Sequence, residues 1–325
     1  MQPAMTRLTR TGGTRAARGS LRQRMWQARW CYLMMAPGLI LVGMFSCYPM
    51  IASWYYSFFD WDGISAQKYF IGWQNFRDLV HDHYFWSAFG RSFWFMAVAT
   101  PLELIFSLVV AILLNDRALK MAPIFRTMLF VPVVTTTAIS SIVMSFVFAA
   151  FNGPVNQALQ SMHVINKPID YLGNPHSVMW TAIGIFVWKW FGQPMIYWLA
   201  GLQTIPQEIY EAARMDGARA WRQLISITAP MMAPFAVIIT LITAVGNLQA
   251  FAFMQALTNG GPFFSSEMME LYIYRMAFGT ASTQRLGYAS AAGVIFGVAV
   301  MVIAVIQILA LRRLRSNSSS GMATR

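Results

Sequence analysis

Six runs of apolar residues, at about 32–58, 88–114, 122–150, 177–202, 230–256 and 287–311, alternate with shorter polar segments along this chain. Each run is long enough to cross ~30 Å of hydrocarbon as a helix, which takes about 20 residues at a rise of 1.5 Å. The first is too long for a cleavable leader and further apolar runs follow it, so it is expected to be a span. Pro37, Gly43 and Pro49 within it predict kinks, tolerated where neighbouring helices re-satisfy the backbone. The second run carries Glu103 two residues after Pro101, and the third carries Pro123, Pro132 and a Thr135–Thr137 run. In the last run Ala289, Gly293 and Gly297 recur at every fourth position, a spacing that lets helices approach closely inside the bundle. The aromatic loop 59–87 predicts a small hairpin lying on the membrane, and loop 151–176 carries Gly153-Pro154 and Asn174-Pro175 turns.

One polar interruption has a pattern of its own. Tyr210 to Pro234, reading YEAARMDGARAWRQLISITAPMMAP, holds Arg214, Arg219, Arg222, Glu211 and Asp216 between two apolar runs. Thr204 and Gln207 have capping-box spacing, Pro206 suits a first turn, and Glu208 and Glu211 favour a helix N-terminus electrostatically. Ile209, Ala212 and Ala213 share one face. Asp216-Gly217 is expected to break the helix, and Asp216 to cap a second short helix from Ala218 to Ile227 before Pro230 leads into the fifth run. The result is a helix-turn-helix on the inner membrane surface. A generic amphipathic linker is the competing reading.

Composition agrees with the pattern. Of 325 residues, 57% are hydrophobic and only 11% charged, far from the roughly one quarter charged of soluble domains. The net charge of +12 is a matter of placement. The N-terminal segment, the second and fourth loops and the tail together hold seventeen basic residues against four acidic ones. The alternate loops hold six against seven. That asymmetry is the positive-inside pattern and puts both termini in the cytoplasm; it removes the case for nucleic-acid binding. Cys31 and Cys47 have no metal-ligand spacing, and His81 and His83 read as a solvated loop pair. No P-loop, HExxH, nucleophilic triad or GxGxxG in strand context occurs. Energy for uphill transport would have to come from another subunit or a coupled ion.

The motifs then point to a family. Glu211-Ala212-Ala213, Asp216-Gly217-Ala218 and, farther on, Leu224, Ile227 and Pro230 resemble the EAA signature of binding-protein-dependent ABC importer permeases. LTNGGP at 257–262, LYIYRMAF at 271–278, FRTMLFVPVVTTTAIS at 125–140 and FIGWQNF at 70–76 are similar to the sugar-permease branch related to the maltose transporter, on its MalF-like side. The resemblance covers the chain from about residue 30. It implies an all-α fold with six transmembrane helices and a MetI/MalF-like type I importer core in a bacterial cell membrane. Residues 1–31 would be a basic cytoplasmic segment, 32–311 the permease domain with a coupling loop at 203–229, and 312–325 a cytoplasmic tail. The implied partners are a MalG-like second permease, two ATPase subunits that bind ATP and Mg, an external solute-binding protein and the lipid around the bundle. The chain itself would bind no cofactor and perform no catalysis. Glu211, Ala212, Ala213, Asp216 and Gly217 are the implied ATPase-coupling positions.

The same resemblance puts Trp190, Gly192, Gln193, Thr243, Asn247 and Ala250 at substrate-contact positions. An aromatic face for sugar C–H groups, with amide and hydroxyl partners for sugar hydroxyls, suits that role. A span packed by a large aromatic with a few intramembrane hydrogen bonds is the alternative. Lys189, an ammonium inside a span, has two readings: an ion pair with Glu103, or an attractor for an anionic substrate such as glycerol phosphate. A transporter coupled to an ion gradient would need coupling carboxylates and an inverted repeat; only Glu103 and Lys189 are available within the spans.

Overall fold

A computed structural model of the protein describes residues 26, 28–116, 119–279 and 284–320, with side chains described up to 309. Most of the predicted basic N-terminal segment, Arg117 and the side chains of the tail arginines lie outside the described residues. The chain divides into two units, Met1–Ala52 and Ser53–Arg325.

The first unit contributes most of helix α1 (Arg29–Tyr56), whose residues up to Ala52 are largely exposed. Pro37 lies inside the helix without ending it, and the predicted irregularity takes the form of one π turn at Gly43–Cys47. Pro49 lacks the N–H that Phe45 would need as its helical partner, which accounts for the wider turn just before it.

The second unit begins with the predicted hairpin, two short antiparallel strands β1 (Phe59–Asp60) and β2 (Tyr69–Phe70) with Phe59 opposite Phe70. A short amphipathic helix α2 (Gln74–His81) follows, then the central helix α3 (His83–Leu114). Asp82 caps α3, its Oδ1 accepting from the amides of Tyr84 at 2.8 Å and Phe85 at 3.4 Å. The buried stripe of α3 is rich in small residues (Ala88, Ser92, Ala99, Ser107, Ala111), which allows neighbours to pack closely around it.

The third apolar run forms α4 (Ala122–Val134) and α5 (Thr137–Val147), which meet at 95°. Thr135 is extended at the break, three residues after Pro132. A short helix α6 (Pro154–Ser161) crosses the next loop. The fourth run is two helices in series, α7 (Val178–Trp190) and α8 (Gly192–Leu202), broken at Phe191. Pro194 has no N–H for the carbonyl of Trp190, so the helical ladder lapses there. Gly192 sits against α4, where a Cβ would lie 2.7 Å from the Leu129 carbonyl oxygen; only glycine fits that approach. The polar interruption before the fifth run forms α9 (Gln207–Met215).

The fifth span is displaced from its predicted place. A continuous helix α10 (Ala220–Leu248), with a π turn at Leu224–Thr228, starts ten residues before 230 and stops eight before 256. The short second helix expected at 218–227 is therefore the root of the span itself. After a non-helical Gln249, α11 (Phe251–Leu257) turns away; its first amide, Phe251 N–H, is capped by Glu270 Oε2 at 2.9 Å. That carboxylate sits on α12 (Met269–Phe278), and α13 (Leu286–Ser320) closes the chain. Of the predicted small-residue row on α13, Ala289 is buried, a Cβ on Gly293 would come within 4.0 Å of Ile273, and a Cβ on Gly297 would meet no described neighbour outside its own helix within 4 Å.

Among the described residues, four helices are long and apolar enough to cross a membrane, five when the bent pair α4–α5 counts as one. The remaining run, the fourth, is present as the α7–α8 pair, each half too short to cross alone. Aromatic and aliphatic side chains of α3, α7 and α11 (Phe95, Ile183, Phe186, Phe253) form one core. Residues of α3, α8 and α10 (Ala111, Met195, Trp198, Ile239) form another.

Candidate functional site

Three of the helix breaks converge. Thr137 at the α4–α5 break, Trp190 and Gln193 beside the α7–α8 break, and Gln249 and Ala250 at the end of α10 line one cavity of about 420 Å³. Non-helical backbone at membrane depth is tolerated where it is buried in protein or borders a cavity, which is the situation here. Thr243, Gly246 and Asn247 come from one face of α10, Tyr197 from one turn after Gln193 on α8, and Glu103 from α3.

The walls differ in character. Phe186, Trp190 and Phe253 form an aromatic side, with the Phe186 and Phe253 rings edge to face at 5.1 Å and the Phe186 and Trp190 rings tilted at 6.2 Å. The Trp190 indole N–H is buried without an acceptor among the described residues. Opposite in chemistry is a polar side. Gln193 Nε2 donates to Tyr197 Oη at 3.0 Å. Asn247 Nδ2 donates to Thr100 Oγ1 at 3.0 Å and to Glu103 Oε2 at 3.1 Å, tying α10 to α3.

Five residues predicted as substrate contacts thus share this cavity: Trp190, Gln193, Thr243, Asn247 and Ala250. Gly192 and Lys189 do not line it. Gly192 is taken up by the contact with α4 already described. Lys189 is 1% exposed, and its ammonium turns to the α4–α5 break. It donates to the carbonyl oxygens of Pro132 and Thr135 at 2.9 Å each, with Thr135 Oγ1 and Ser140 Oγ at 3.5 Å and the Trp190 ring centroid at 5.1 Å. The bend strips those carbonyls of helical N–H partners, and a three-donor ammonium replaces them. The predicted pair with Glu103 is not formed, because Glu103 instead accepts from Asn247.

Glu103 and Tyr197 are lining residues that spacing did not select. A carboxylate inside an apolar run was the available signal for Glu103.

The segment expected to couple to an ATPase lies apart from the cavity and is exposed. Helix α9 ends in a left-handed Gly217 (φ 77°), with Ala218 N–H bonded to Ala213 O at 2.9 Å and Gly217 N–H to Arg214 O at 3.0 Å. This paired 6→1 and 5→2 closure depends on glycine at its left-handed position. Asp216 is the C-cap residue of α9 and does not cap the next helix; α10 starts after Arg219 without a side-chain cap. The predicted capping box is absent too, since Thr204 Oγ1 donates to Gly201 O at 2.7 Å. Glu211, Ala212, Asp216 and Gly217 are exposed and Ala213 half-buried. Met215 and Trp221 are 89% and 71% exposed, an apolar surface beside the carboxylates. Tyr210 Oη and Thr228 Oγ1, 2.9 Å apart, brace α9 against the root of α10.

Residues 85–316 match the family described as "Binding-protein-dependent transport system inner membrane component". The lactose transport system permease protein LacF of Rhizobium radiobacter is 33% identical over 249 residues, 76% of this chain and 83% of that protein. The arabinooligosaccharides transport system permease protein AraP of Bacillus subtilis (strain 168) is 27% identical over 284 residues, covering 85% and 87%. In fold, the chain is similar to one from the crystal structure of a bacterial ABC transporter involved in the import of the acidic polysaccharide alginate. That match has a TM-score of 0.77 at 22% identity, covering 91% of this chain and 99% of the other.

Proposed function

This chain belongs to the binding-protein-dependent transport system inner membrane components, and from that premise we propose that it translocates a sugar or oligosaccharide through the cavity around Trp190. It is a multi-pass membrane permease subunit with the fold of an ABC importer permease. The observation that carries the substrate reading is the meeting of an aromatic wall with Gln193, Thr243 and Asn247 at a point where three helices break. Aromatic faces take the C–H surfaces of a sugar ring, and the amide and hydroxyl groups take its hydroxyls. Relatives named for lactose and arabinooligosaccharide transport support the same chemistry.

In this reading an external solute-binding protein delivers the sugar and a second, MalG-like permease completes the path. Two ATPase subunits bind ATP and Mg and supply the energy; this chain holds no cofactor. The exposed α9 segment, with Glu211, Ala212, Ala213, Asp216 and Gly217, meets an ATPase subunit on the cytoplasmic face, where both termini also lie. An anionic substrate drew its appeal from Lys189, whose donors are occupied by the Pro132 and Thr135 carbonyls. The test is uptake of a labelled neutral-sugar panel by the complete transporter in proteoliposomes. Trp190→Ala and Asn247→Ala are expected to depress uptake of the transported sugar by at least about tenfold, the scale of lost aromatic and hydrogen-bond contacts. Undiminished uptake by both variants would remove the cavity from the path.

A further inference from the structure

The cavity has an electrostatic sign. Its lining includes one ionisable acid, Glu103, and no lysine, arginine or histidine. The one ammonium nearby in sequence, Lys189, points to the α4–α5 break and not into the cavity.

Glu103 is 3% exposed, so its carboxyl is held by the protein and not by bulk water. One oxygen, Oε2, accepts from Asn247 Nδ2 at 3.1 Å, and the same amide donates to Thr100 Oγ1 at 3.0 Å. That bracing fixes the carboxyl against the cavity wall. The other oxygen, Oε1, has no hydrogen-bond partner among the described residues, while the residue itself borders the cavity. A carboxyl oxygen free to accept favours a donor, and the cavity that Glu103 borders is the space the substrate would occupy.

We propose that Glu103 sets the charge selectivity of the cavity, accepting a hydrogen bond from the hydroxyl or amino group of a neutral or amino sugar and rejecting carbohydrates that carry a carboxylate or phosphate. This deepens the saccharide reading above and rests on it. The neighbours on the wall suit the same ligand: the Asn247 and Gln193 amides and the Thr243 hydroxyl exchange hydrogen bonds with hydroxyls, and none supplies a full positive charge to an anion. In its ionised form the Glu103 carboxyl disfavours an anion roughly 10 Å away by more than about tenfold at an effective dielectric of about 20. Glu103 therefore acts by where its carboxyl stands, with Asn247 and Thr100 as positioning residues.

The experiment measures equilibrium binding of three disaccharides of one size to the purified complete transporter without its solute-binding protein. The probes are maltose, diglucosamine and digalacturonate, which are neutral, cationic and anionic. The wild-type complex is expected to bind maltose and diglucosamine at least about tenfold more tightly than digalacturonate, the repulsion scale given above. Glu103→Gln, isosteric and uncharged, is expected to narrow that gap by about the same factor. Glu103→Asp, which keeps the charge, is expected to preserve it. Digalacturonate binding as tight as maltose in the wild type, or a Glu103→Gln complex with unchanged discrimination, overturns the assignment of Glu103 and leaves the saccharide reading standing. Binding of none of the three defeats both. Should Glu103→Gln fail to assemble, the wild-type and Glu103→Asp comparisons still decide the matter.

Discussion

At the scale of single residues, the buried polar groups behave as hydrogen-bond accounting demands, though not with the partners that charge alone suggests. Lys189 and Glu103 would form an obvious pair, since an isolated charge in a span is expensive. Each instead finds partners closer at hand: the Pro132 and Thr135 carbonyls for the ammonium, the first of which also accepts from the Thr135 hydroxyl, and a side-chain amide for the carboxyl. Lys189→Met should therefore destabilise the protein in detergent by on the order of 2 kcal/mol, the cost of leaving the Thr135 carbonyl unpaired. Its effect should add to that of Glu103→Gln with a coupling below about 0.5 kcal/mol. Strong coupling in the double-mutant cycle would restore the ion pair. Asp82 offers a second residue-scale expectation. Burial would raise its carboxyl, but the hydroxyls of Tyr272 and Tyr288 and the amides of Tyr84 and Phe85 outweigh burial and hold it below the ordinary carboxylate value. A group depressed in the folded state contributes stability above its unfolded pKa and loses it as pH falls through the folded one. Hydrogen-exchange protection at the start of α3 should thus fall as the medium is acidified below about pH 4, the ordinary carboxylate range. Asp82→Asn should flatten that dependence; an unchanged acid profile in the variant would show the carboxylate to be irrelevant.

At the scale of elements, apolar length was a good guide to the existence of helices and a poor one to their ends. The run at 122–150 bends by 95°, and the run at 230–256 ends at Leu248. Proline positions explain part of this: Pro132, Pro194 and Pro230 each withdraw an N–H from the ladder. Whether the chain then bends, forms a π turn or changes direction depends on what donates to the carbonyls left without a helical partner, and Lys189, 57 residues from Pro132, is such a donor. In the coupling segment the decisive feature is the left-handed Gly217 and the two backbone bonds that close α9 around it. Gly217→Asp places a side chain at φ 77° and a third carboxylate beside Glu211 and Asp216. The variant should reach the membrane at normal abundance yet lose sugar uptake, while the associated ATPase keeps hydrolysing. Normal uptake would detach this segment from coupling.

At the scale of the whole molecule, the charge asymmetry of the loops predicts which face is which. After Cys31→Ser and Cys47→Ser, a membrane-impermeant thiol reagent added outside intact cells should label Asn152→Cys and spare Asp216→Cys. Labelling of Asp216→Cys from outside would invert the topology.

Apolar run length, loop charge and the EAA, LTNGGP and LYIYRMAF motifs are local properties of the chain, and they determined the helical membrane class and the permease family. They also selected Trp190, Gln193, Thr243, Asn247 and Ala250, residues up to 60 positions apart that line one cavity. What only the tertiary structure decided is who partners whom: Asn247 with Glu103 and Thr100, Lys189 with the α4–α5 break, Asp82 with Tyr272 and Tyr288. Hydrophobicity adds up residue by residue along a segment, so a sequence displays it. A buried hydrogen bond depends on two distant groups arriving in register, and only the packed helices settle that.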